Sequence, residues 1–447
     1  MDDKNLDTIF ALASARGSAG VSVVRISGNI ALNVVQSLCR KKSLLPGKIH
    51  LANLYHPKNK QILDQAVILY FAKPGSFTGE DVIELQCHGS SAVLDVVFEA
   101  LLYLGLRPAE PGEFSRRAFS NGKMDLVQAE GLADLIDART EGQRQQAVQQ
   151  MGGNLSQYIE SWRSKLLVLL ARVEAEIDFS EEEDVTGGLS SLVLPDLQDL
   201  ESELVAHLAL ADRGRKVRDG FLIALVGPVN AGKSTLLNAL SGEDRAIVSD
   251  QPGTTRDVIE AQTQIGGFLV TIADTAGLRE TKQKIEQEGI RRTQMTAKTA
   301  DLRLFLSEGG QKPDNELFDQ AQAGDLFLHT KSDLTPNTKP SDGWVSISAK
   351  TGLGMEFLQD CLQKEVEKRL CATELPSLTR KRHVYGIKSA CGSLVAAKIE
   401  LERRFDCRPE LVAEDLRQCA THLGSLLGEL GTEQVLDEVF SSFCIGK

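Results

Sequence analysis

The sequence predicts a multidomain chain of α/β and all-α parts: an N-terminal α/β domain, a helical bundle domain, and a second α/β domain inserted into that bundle. Three observations carry this. The chain has 447 residues, enough for about three domains at roughly 150 residues each. Short β-rich runs alternate with helical patterns near both the start and the middle of the chain. Around the middle segment, apolar residues recur every third or fourth position, the period of a helix that buries one face.

Residues 1–118 contain Val21 to Ile26, Ala66 to Phe71 and Val82 to Leu85 as strand candidates between helical patterns, which predicts a compact α/β domain. The first part of the helical domain is expected over 119–215. There Val148, Met151, Leu155, Ile159, Trp162, Leu166, Leu169, Val173 and Ile177 keep helical spacing and predict one long amphipathic helix. Leu197, Leu200, Leu204 and Leu208 predict another after Pro195. Strands return over 216–372, at Phe221 to Val226, Phe268 to Ala273, Leu302 to Leu306, Leu326 to His329 and Val345 to Ile347. Alternating βα order predicts a mostly parallel sheet. The second helical part, 373–447, carries Val412, Leu416, Cys419, Leu423, Leu427 and Leu430 at the same helical period.

Composition narrows the function classes. At 42% hydrophobic and 25% charged the chain matches a globular protein, not a disordered or fibrous one. Its 50 Lys+Arg against 62 Asp+Glu make uniform attraction to a phosphate backbone an implausible main driver. That acidity is concentrated: Glu174 to Glu203 holds eleven acidic residues and no Lys or Arg, leaving the remainder close to neutral. Basic clusters stand at the edges of the inserted domain, Arg213, Arg215, Lys216 and Arg218 before it and Arg380, Lys381 and Arg382 after it. They predict a basic seam that contacts RNA or the acidic stretch. Eight cysteines without a CxxC pair or metal spacing read as reduced and cytosolic. The opening Met1-Asp2-Asp3-Lys4-Asn5 has no signal-segment character, and no apolar run is long enough to span a bilayer.

The chemistry sits in the inserted domain. Its first strand runs into Gly227-Pro228-Val229-Asn230-Ala231-Gly232-Lys233-Ser234 and then a helical segment beginning at Thr235. This is a phosphate-binding loop: glycines let backbone N–H groups turn toward phosphates, Lys233 offers a point charge to β/γ oxygens, and the Ser234 hydroxyl can ligate Mg²⁺. The strand Phe268 to Ala273 ends in Asp274-Thr275-Ala276-Gly277, where Asp274 can hold Mg²⁺ through water and Gly277 can donate to the γ-phosphate. Between them, Gly253-Thr254-Thr255 is the expected place for a threonine, Thr255, that closes on Mg²⁺ when the γ-phosphate is present.

Base choice rests on Thr330-Lys331-Ser332-Asp333 and Ser348-Ala349-Lys350. The Asp333 carboxylate can accept both in-plane donors of guanine, Lys331 can lie along the base, and the Ala349 backbone can meet the guanine carbonyl. Thr330 stands where such motifs usually place an Asn that ties this loop to the phosphate loop, and replaces that tie only in part. Leu278 occupies the position of the water-orienting Gln of Ras-like switches. Hydrolysis therefore needs another device: Asn230 can place an oxygen for a monovalent cation, and Glu280, Glu286 or Glu288 can orient the water. The spacing alone does not choose among the three.

The chain resembles the MnmE (TrmE) family of tRNA-modification GTPases along essentially its whole length. Beyond the nucleotide motifs, the resemblance is carried by Phe77-Thr78-Gly79-Glu80-Asp81, Pro111 to Phe119, Asn121-Gly122-Lys123-Met124-Asp125-Leu126, Gln128-Ala129-Glu130 and the terminal Phe443-Cys444-Ile445-Gly446-Lys447. It implies a Ras-like P-loop GTPase domain and a homodimer whose N-terminal domain binds a formyl-tetrahydrofolate, with Arg25, Glu84, Lys123 and Lys447 at the folate positions. It implies nucleotide contacts from Asn230 to Thr235 and from Ser249-Asp250-Gln251-Pro252 through Thr255, and a potassium ion surrounded by Asn230, Ser249, Gln251 and Thr254. Glu286 matches the water-orienting carboxylate. An FAD- and NADH-using partner, MnmG (GidA), and a tRNA wobble uridine as substrate are also implied. Pro228-Val229 departs from the family's usual Arg-Pro. A ribosome-assembly or signalling switch and an ATPase are the rival readings.

Overall fold

The computed structural model describes residues 7–178, 189–228, 230–242, 259–274, 295–308, 318, 321–339, 341–371, 378–403, 407–429, 433–441, 443 and 445–446. They fall into two compact units, Met1–Ala133 with Ser156–Ser164 and Ala420–Lys447, and Asp134–Leu155 with Lys165–Cys419.

The first unit is built on a sheet of β1 (Ile9–Leu12), β2 (Ala19–Ser27), β3 (Ile49–Tyr55), β4 (Ile62–Phe71), β5 (Val82–Gly89) and β6 (Arg107–Pro108), in the order β3-β4-β5-β2-β1-β6. Neighbours pair antiparallel except β1 with β6. Strand alternation sorts the side chains: Val24, Ile26, Ile83 and Leu85 enter a core shared with α1 (Ala31–Cys39) and α2 (Ser91–Tyr103). Arg25 and Glu84 point to the opposite face, where Ile9, Ala11 and Phe114 form a smaller cluster with Phe77.

Two further helices, α3 (Glu113–Ser120) and α4 (Leu126–Asp137), follow. Arg117 of α3 is buried and ion-paired to Asp7 at 3.0 Å, Glu80 at 3.2 Å and Glu113 at 2.9 Å. Arg107 adds a second guanidinium 2.6 Å from Glu113. A buried charge of this kind needs every partner in place, so the network pins the Glu80 turn against the start of α3.

The single long helix expected from Val148 to Ile177 is two helices, α5 (Glu141–Met151) in the second unit and α6 (Asn154–Asp178), of which Ser156–Ser164 belong to the first unit and the rest to the second. The break lies at Gly152-Gly153, where Gly153 takes φ 85°, a left-handed conformation that ends helices readily. The apolar stripe resumes on α6, whose Leu155, Ile159, Trp162, Leu166, Leu169 and Val173 are buried, whereas Val148 and Met151 are 39% and 37% exposed. Helix α7 (Leu189–Ala209) begins before Pro195 and contains it, because Leu189 and Val193 extend the buried face upstream. After α8 (Ala211–Asp219) the inserted sheet runs β7 (Phe221–Val226), β8 (Ile259–Ile265), β9 (Phe268–Asp274), β10 (Leu302–Ser307), β11 (Leu326–His329) and β12 (Trp344–Ser346), with α9 (Lys233–Ser241) and α10 (Met355–Leu370). Its order is β12-β11-β10-β7-β9-β8, parallel throughout except for β8. The edge strand β8 is not among the expected strands, although Glu260, Gln262 and Gln264 alternate with Ile259, Ala261, Thr263 and Ile265.

Beyond the insert, α11 (Lys381–Glu402) packs on α7, with the Ser190 hydroxyl donating to the Leu401 carbonyl at 2.5 Å. Helix α12 (Pro409–Leu427) buries Val412, Leu416, Cys419, Leu423 and Leu427, as the periodicity predicts. Helix α13 (Glu433–Ser441) returns to the first unit, its Phe440 carbonyl leaving no room for a Cβ at Gly112. The apolar C-terminal prediction at Leu430 lies outside the described residues.

Among the described residues no helix is long and apolar enough to cross a membrane. The described cysteines are free thiols, and burial pushes Cys87 up to about 12 and Cys391 up to about 11, far from a reactive thiolate.

Burial alone would raise the Glu113 pKa, but hydrogen bonds from Arg107, the Glu110 amide and Arg117 outweigh it and hold the carboxyl below its ordinary 4.5. Its contribution to stability is therefore complete above that value and is lost as pH falls through the lowered folded value. Glu113→Gln should destabilise the protein at neutral pH by roughly 1–3 kcal/mol and flatten its loss of stability toward about pH 3, read by urea unfolding across that range.

Candidate functional site

Parallel pairing of β7 with β9 and β10 brings the C-terminal ends of these strands to one edge of the sheet, the side on which open α/β sheets bind ligands. Strand β7 delivers Gly227 so close to the Leu306 carbonyl, at the end of β10, that a Cβ would sit 2.5 Å from that oxygen. Only glycine permits this approach. Asn230 takes φ 65° and Gly232 φ 88°, turning the loop so that α9 begins at Lys233 with its unpaired N–H groups facing the loop.

The Lys233 ammonium donates to the Gly227 and Pro228 carbonyls at 2.8 Å each. It is only 4% exposed, and burial, opposed by the charge of Asp274, lowers its pKa from the ordinary lysine value. Next to it the Ser234 hydroxyl donates to the Asp274 carboxylate at 2.6 Å. Asp274 is 1% exposed at the end of β9. A hydroxyl and a buried carboxylate held together are hard oxygen donors that suit Mg²⁺, so the donor set fits the ion expected from the sequence. Thr255, the other expected Mg²⁺ ligand, lies outside the described residues.

The base-reading segments follow β11 and β12. The Ser332 amide donates to the Ile347 carbonyl at 3.2 Å and the Ile347 amide to the His329 carbonyl at 2.8 Å, joining the two segments. Lys331 takes φ 52°, and its ammonium lies 2.9 Å from Glu308. Asp333 and Ala349 are half-buried and Lys350 exposed. The Ser348 hydroxyl accepts from the Thr351 amide at 3.2 Å, closing the turn that carries Ala349. Thr330 is buried, its amide tied to the Ser307 carbonyl at 3.0 Å, while its hydroxyl has no hydrogen-bond partner among the described residues. Sequence reasoning missed His329, which lies buried behind both segments. Its only signal was a histidine closing the apolar run Leu326-Phe327-Leu328.

Of the other predicted nucleotide and ion residues, the structure describes Ala231 and Thr235 in the loop and first turn of α9. Ser249, Asp250, Gln251, Pro252, Gly253, Thr254, Thr275, Ala276, Gly277, Leu278 and the carboxylates Glu280, Glu286 and Glu288 lie outside the described residues.

The second predicted constellation lies in the N-terminal sheet. Arg25 on β2 faces Glu84 on β5 in register, with Nε 3.0 Å and Nη2 2.9 Å from the carboxylate. The guanidinium also lies 5.6 Å from the Phe77 ring centroid and 5.8 Å from that of Phe114, with the Gly446 carbonyl 3.5 Å from Nη1. Gly79 takes φ 79°, and a Cβ there would lie 3.0 Å from Asn121 and 3.3 Å from Lys123 Cε. Asn121 donates its amide to the Thr78 carbonyl at 2.7 Å. The blocks around Phe77, Phe114, Lys123 and Gly446 are thus gathered at one place, though Cys444 and Lys447 themselves lie outside the described residues.

Comparison with known proteins follows this geometry. Residues 126–444 match the model of the MnmE helical domain, and residues 8–123 match that of the GTP-binding protein TrmE N-terminus. The chain is 47% identical over 443 residues to the tRNA modification GTPase MnmE of Parvibaculum lavamentivorans, covering 99% of this chain and 100% of that one. The chain belongs to the MnmE family. It is also 44% identical to the Maricaulis maris member over 443 residues (98% and 99% covered) and 43% identical to that of Agrobacterium fabrum over 446 residues (99% of each). As a GTP hydrolase of the MnmE family the chain combines α/β and all-α parts with a nucleotide edge on the inserted sheet.

Four residues of the expected basic seam are ion-paired. Arg215 and Lys216 pair with Asp212, Lys216 also with Asp301 at 2.9 Å, and Arg218 with Asp134 and Asp219 at 2.9 and 3.0 Å. Arg380, from the far side of the insert, reaches the same Asp134 oxygen at 2.7 Å. The acidic stretch instead meets Lys165, Arg172, Lys398 and Arg417, through Glu203, Asp196, Glu201 and Glu174. One carboxylate thus gathers the entry and exit of the insert. Asp134→Ala should lower the unfolding free energy by about 1–2 kcal/mol, the low end for a charged hydrogen-bonded pair because the arginines remain partly solvated; urea denaturation monitored by circular dichroism reads it.

Proposed function

We propose that this chain is a potassium-activated GTPase that acts with an MnmG (GidA)-type FAD protein on tRNA, in the cytoplasm. The pair adds an aminomethyl or carboxymethylaminomethyl group to carbon five of the wobble uridine of certain tRNAs, with a folate as one-carbon donor. The observation that carries this reading is the Ser234 to Asp274 contact of 2.6 Å, a nucleotide edge ready for Mg²⁺ in a chain matched end to end by tRNA-modification GTPases.

Lys233 binds β/γ oxygens by exchanging two loop carbonyls for phosphate, which restores the favourable surroundings that burial denies its charge. The N–H groups at the start of α9, from Lys233 to Thr235, cradle the phosphates. Ser234 and Thr255 would hold Mg²⁺, with the Asp274 carboxylate beside Ser234. When bound, this ion neutralises charge on the β and γ oxygens. Asn230, Ser249, Gln251 and Thr254 would offer oxygens to K⁺, which would supply the positive charge an arginine finger brings elsewhere. Glu286 accepts a hydrogen bond from the attacking water and orients it, the task Leu278 cannot perform. Asp333 reads guanine, with Lys331 along the base and Ala349 at its carbonyl.

Residues 216–372 act as the G domain, and GTP brings the G domains of a homodimer together; hydrolysis releases them and resets the cycle. At the N-terminal site Glu84 accepts from donors of the folate ring, and Arg25, Lys123 and Lys447 meet its polar and anionic groups. The rings of Phe77 and Phe114 flank Arg25 on the same face, which suits a flat heterocycle beside a guanidinium.

At matched ionic strength, GTP turnover in K⁺ should exceed that in Na⁺ by at least about ten-fold, a barrier difference of about 1.4 kcal/mol; equal rates refute the ion-dependent mechanism. Nucleoside analysis of tRNA from cells lacking this protein should show wobble uridine without its carbon-five group. Unchanged wobble uridines would sink the tRNA reading and favour a switch that acts by binding.

A further inference from the structure

The two segments that meet the base are held together by a residue that belongs to neither. His329 closes β11 and is 1% exposed. Its Nε2 lies 3.0 Å from the Thr335 hydroxyl, two residues beyond Asp333, and its Nδ1 lies 3.3 Å from the Ser346 hydroxyl, two residues before Ser348. A hydroxyl has one proton, so with Thr335 donating onward Nε2–H donates to Thr335 and Nδ1 accepts from Ser346. Thr335 in turn donates to the Lys331 carbonyl at 3.5 Å, so the loop is tied across its own width.

The usual tie runs the other way, from the first residue of the base motif to the phosphate loop. Here that residue is Thr330, 4% exposed, with its hydroxyl unpartnered among the described residues. It faces the phosphate loop through carbon: a Cβ built on Gly232 would lie 3.9 Å from Thr330 Cβ. Ser332 is buried as well, its hydroxyl also unpartnered among the described residues.

We propose that His329 is a positioning residue for guanine recognition, joining the Asp333 loop to the Ala349 turn and replacing the tie to the phosphate loop that Thr330 does not make. The anchor runs sideways along the edge of the sheet, from β11 to β12. Asp333 must face both in-plane donors of guanine at once, and a loop free to shift loses the second of them first. His329 therefore sets base discrimination while leaving the phosphate contacts of Lys233 and Ser234 untouched. The inference rests on Asp333 reading the base.

Inosine triphosphate tests it, since hypoxanthine keeps the ring N–H and lacks the exocyclic amino group. Steady-state KM and kcat are measured for GTP and inosine triphosphate in the full-length protein and in His329→Leu, His329→Gln and Thr330→Val. The unaltered protein should favour GTP in kcat/KM by at least about ten-fold. His329→Leu should collapse most of that ratio, raising KM for GTP more than it lowers kcat. His329→Gln, whose amide can bond both hydroxyls, should recover it, and Thr330→Val should lose less of it than His329→Leu. If His329→Leu does not fold, Thr335→Val and Ser346→Ala, which remove the partners and keep the ring, carry the same expectation. A ratio unchanged in His329→Leu, or in both partner variants, overturns the proposal, as does a Thr330→Val loss equal to that of His329→Leu. An unaltered protein that does not distinguish the two nucleotides overturns the Asp333 assignment itself and this inference with it.

Discussion

The nucleotide site depends on the parallel pairing of β7 with its neighbours β9 and β10. That pairing, continued through β11 and β12, makes the strands end together, and from those ends leave the loop after β7, Asp274 on β9, and the Thr330 to Asp333 and Ser348 to Lys350 segments after β11 and β12. The approach is close enough that Gly227 must lack a side chain against the Leu306 carbonyl. Crossovers through helices, with α9 and α10 packed into the main core of this sheet, keep the edge rigid. The aromatic cluster of Phe305, Phe318, Phe327 and Trp344 fills the opposite face.

Charge is handled by local compensation in both units. Arg117 is surrounded by three carboxylates, and Arg303 is buried against Asp325 at 2.8 Å while donating to the carbonyls of Ala297 and Ala300. Lys233 is the contrast. It is equally buried, but its hydrogen-bond partners are neutral carbonyls, with the charge of Asp274 nearby. A guanidinium saturated by carboxylates has its charge compensated in place, whereas an ammonium held by carbonyls is left with a lowered pKa.

Much of the fold was legible because it obeys short-range periods. The apolar stripes of α6 and α12 and the strands β2, β4, β5, β7, β9, β10, β11 and β12 announce themselves by spacing alone. Misreadings arose where a local signal was outvoted. The period of 3.6 ran through Gly152-Gly153, yet the backbone broke there; Pro195 read as a helix start, yet buried Leu189 and Val193 carried the helix upstream of it. The basic clusters, expected to contact RNA or the acidic stretch, pair both with carboxylates of their own helix, Asp212 and Asp219, and with the distant Asp134, which spacing does not reveal.

By itself the sequence marked out the phosphate loop, because such a loop is a contiguous stretch whose glycines, lysine and serine lie only a few residues apart. It likewise determined the family, through blocks spread from Phe77 to the C-terminus. The tertiary structure decided which distant groups meet. Asp134 joins Arg218 and Arg380 from the two ends of the insert, Gly446 comes to Arg25, and His329 links Thr335 to Ser346. Such pairings depend on how sheets and helices pack, since a hydrogen bond or ion pair acts over about 3 Å and no local pattern encodes which remote residue will arrive within that distance.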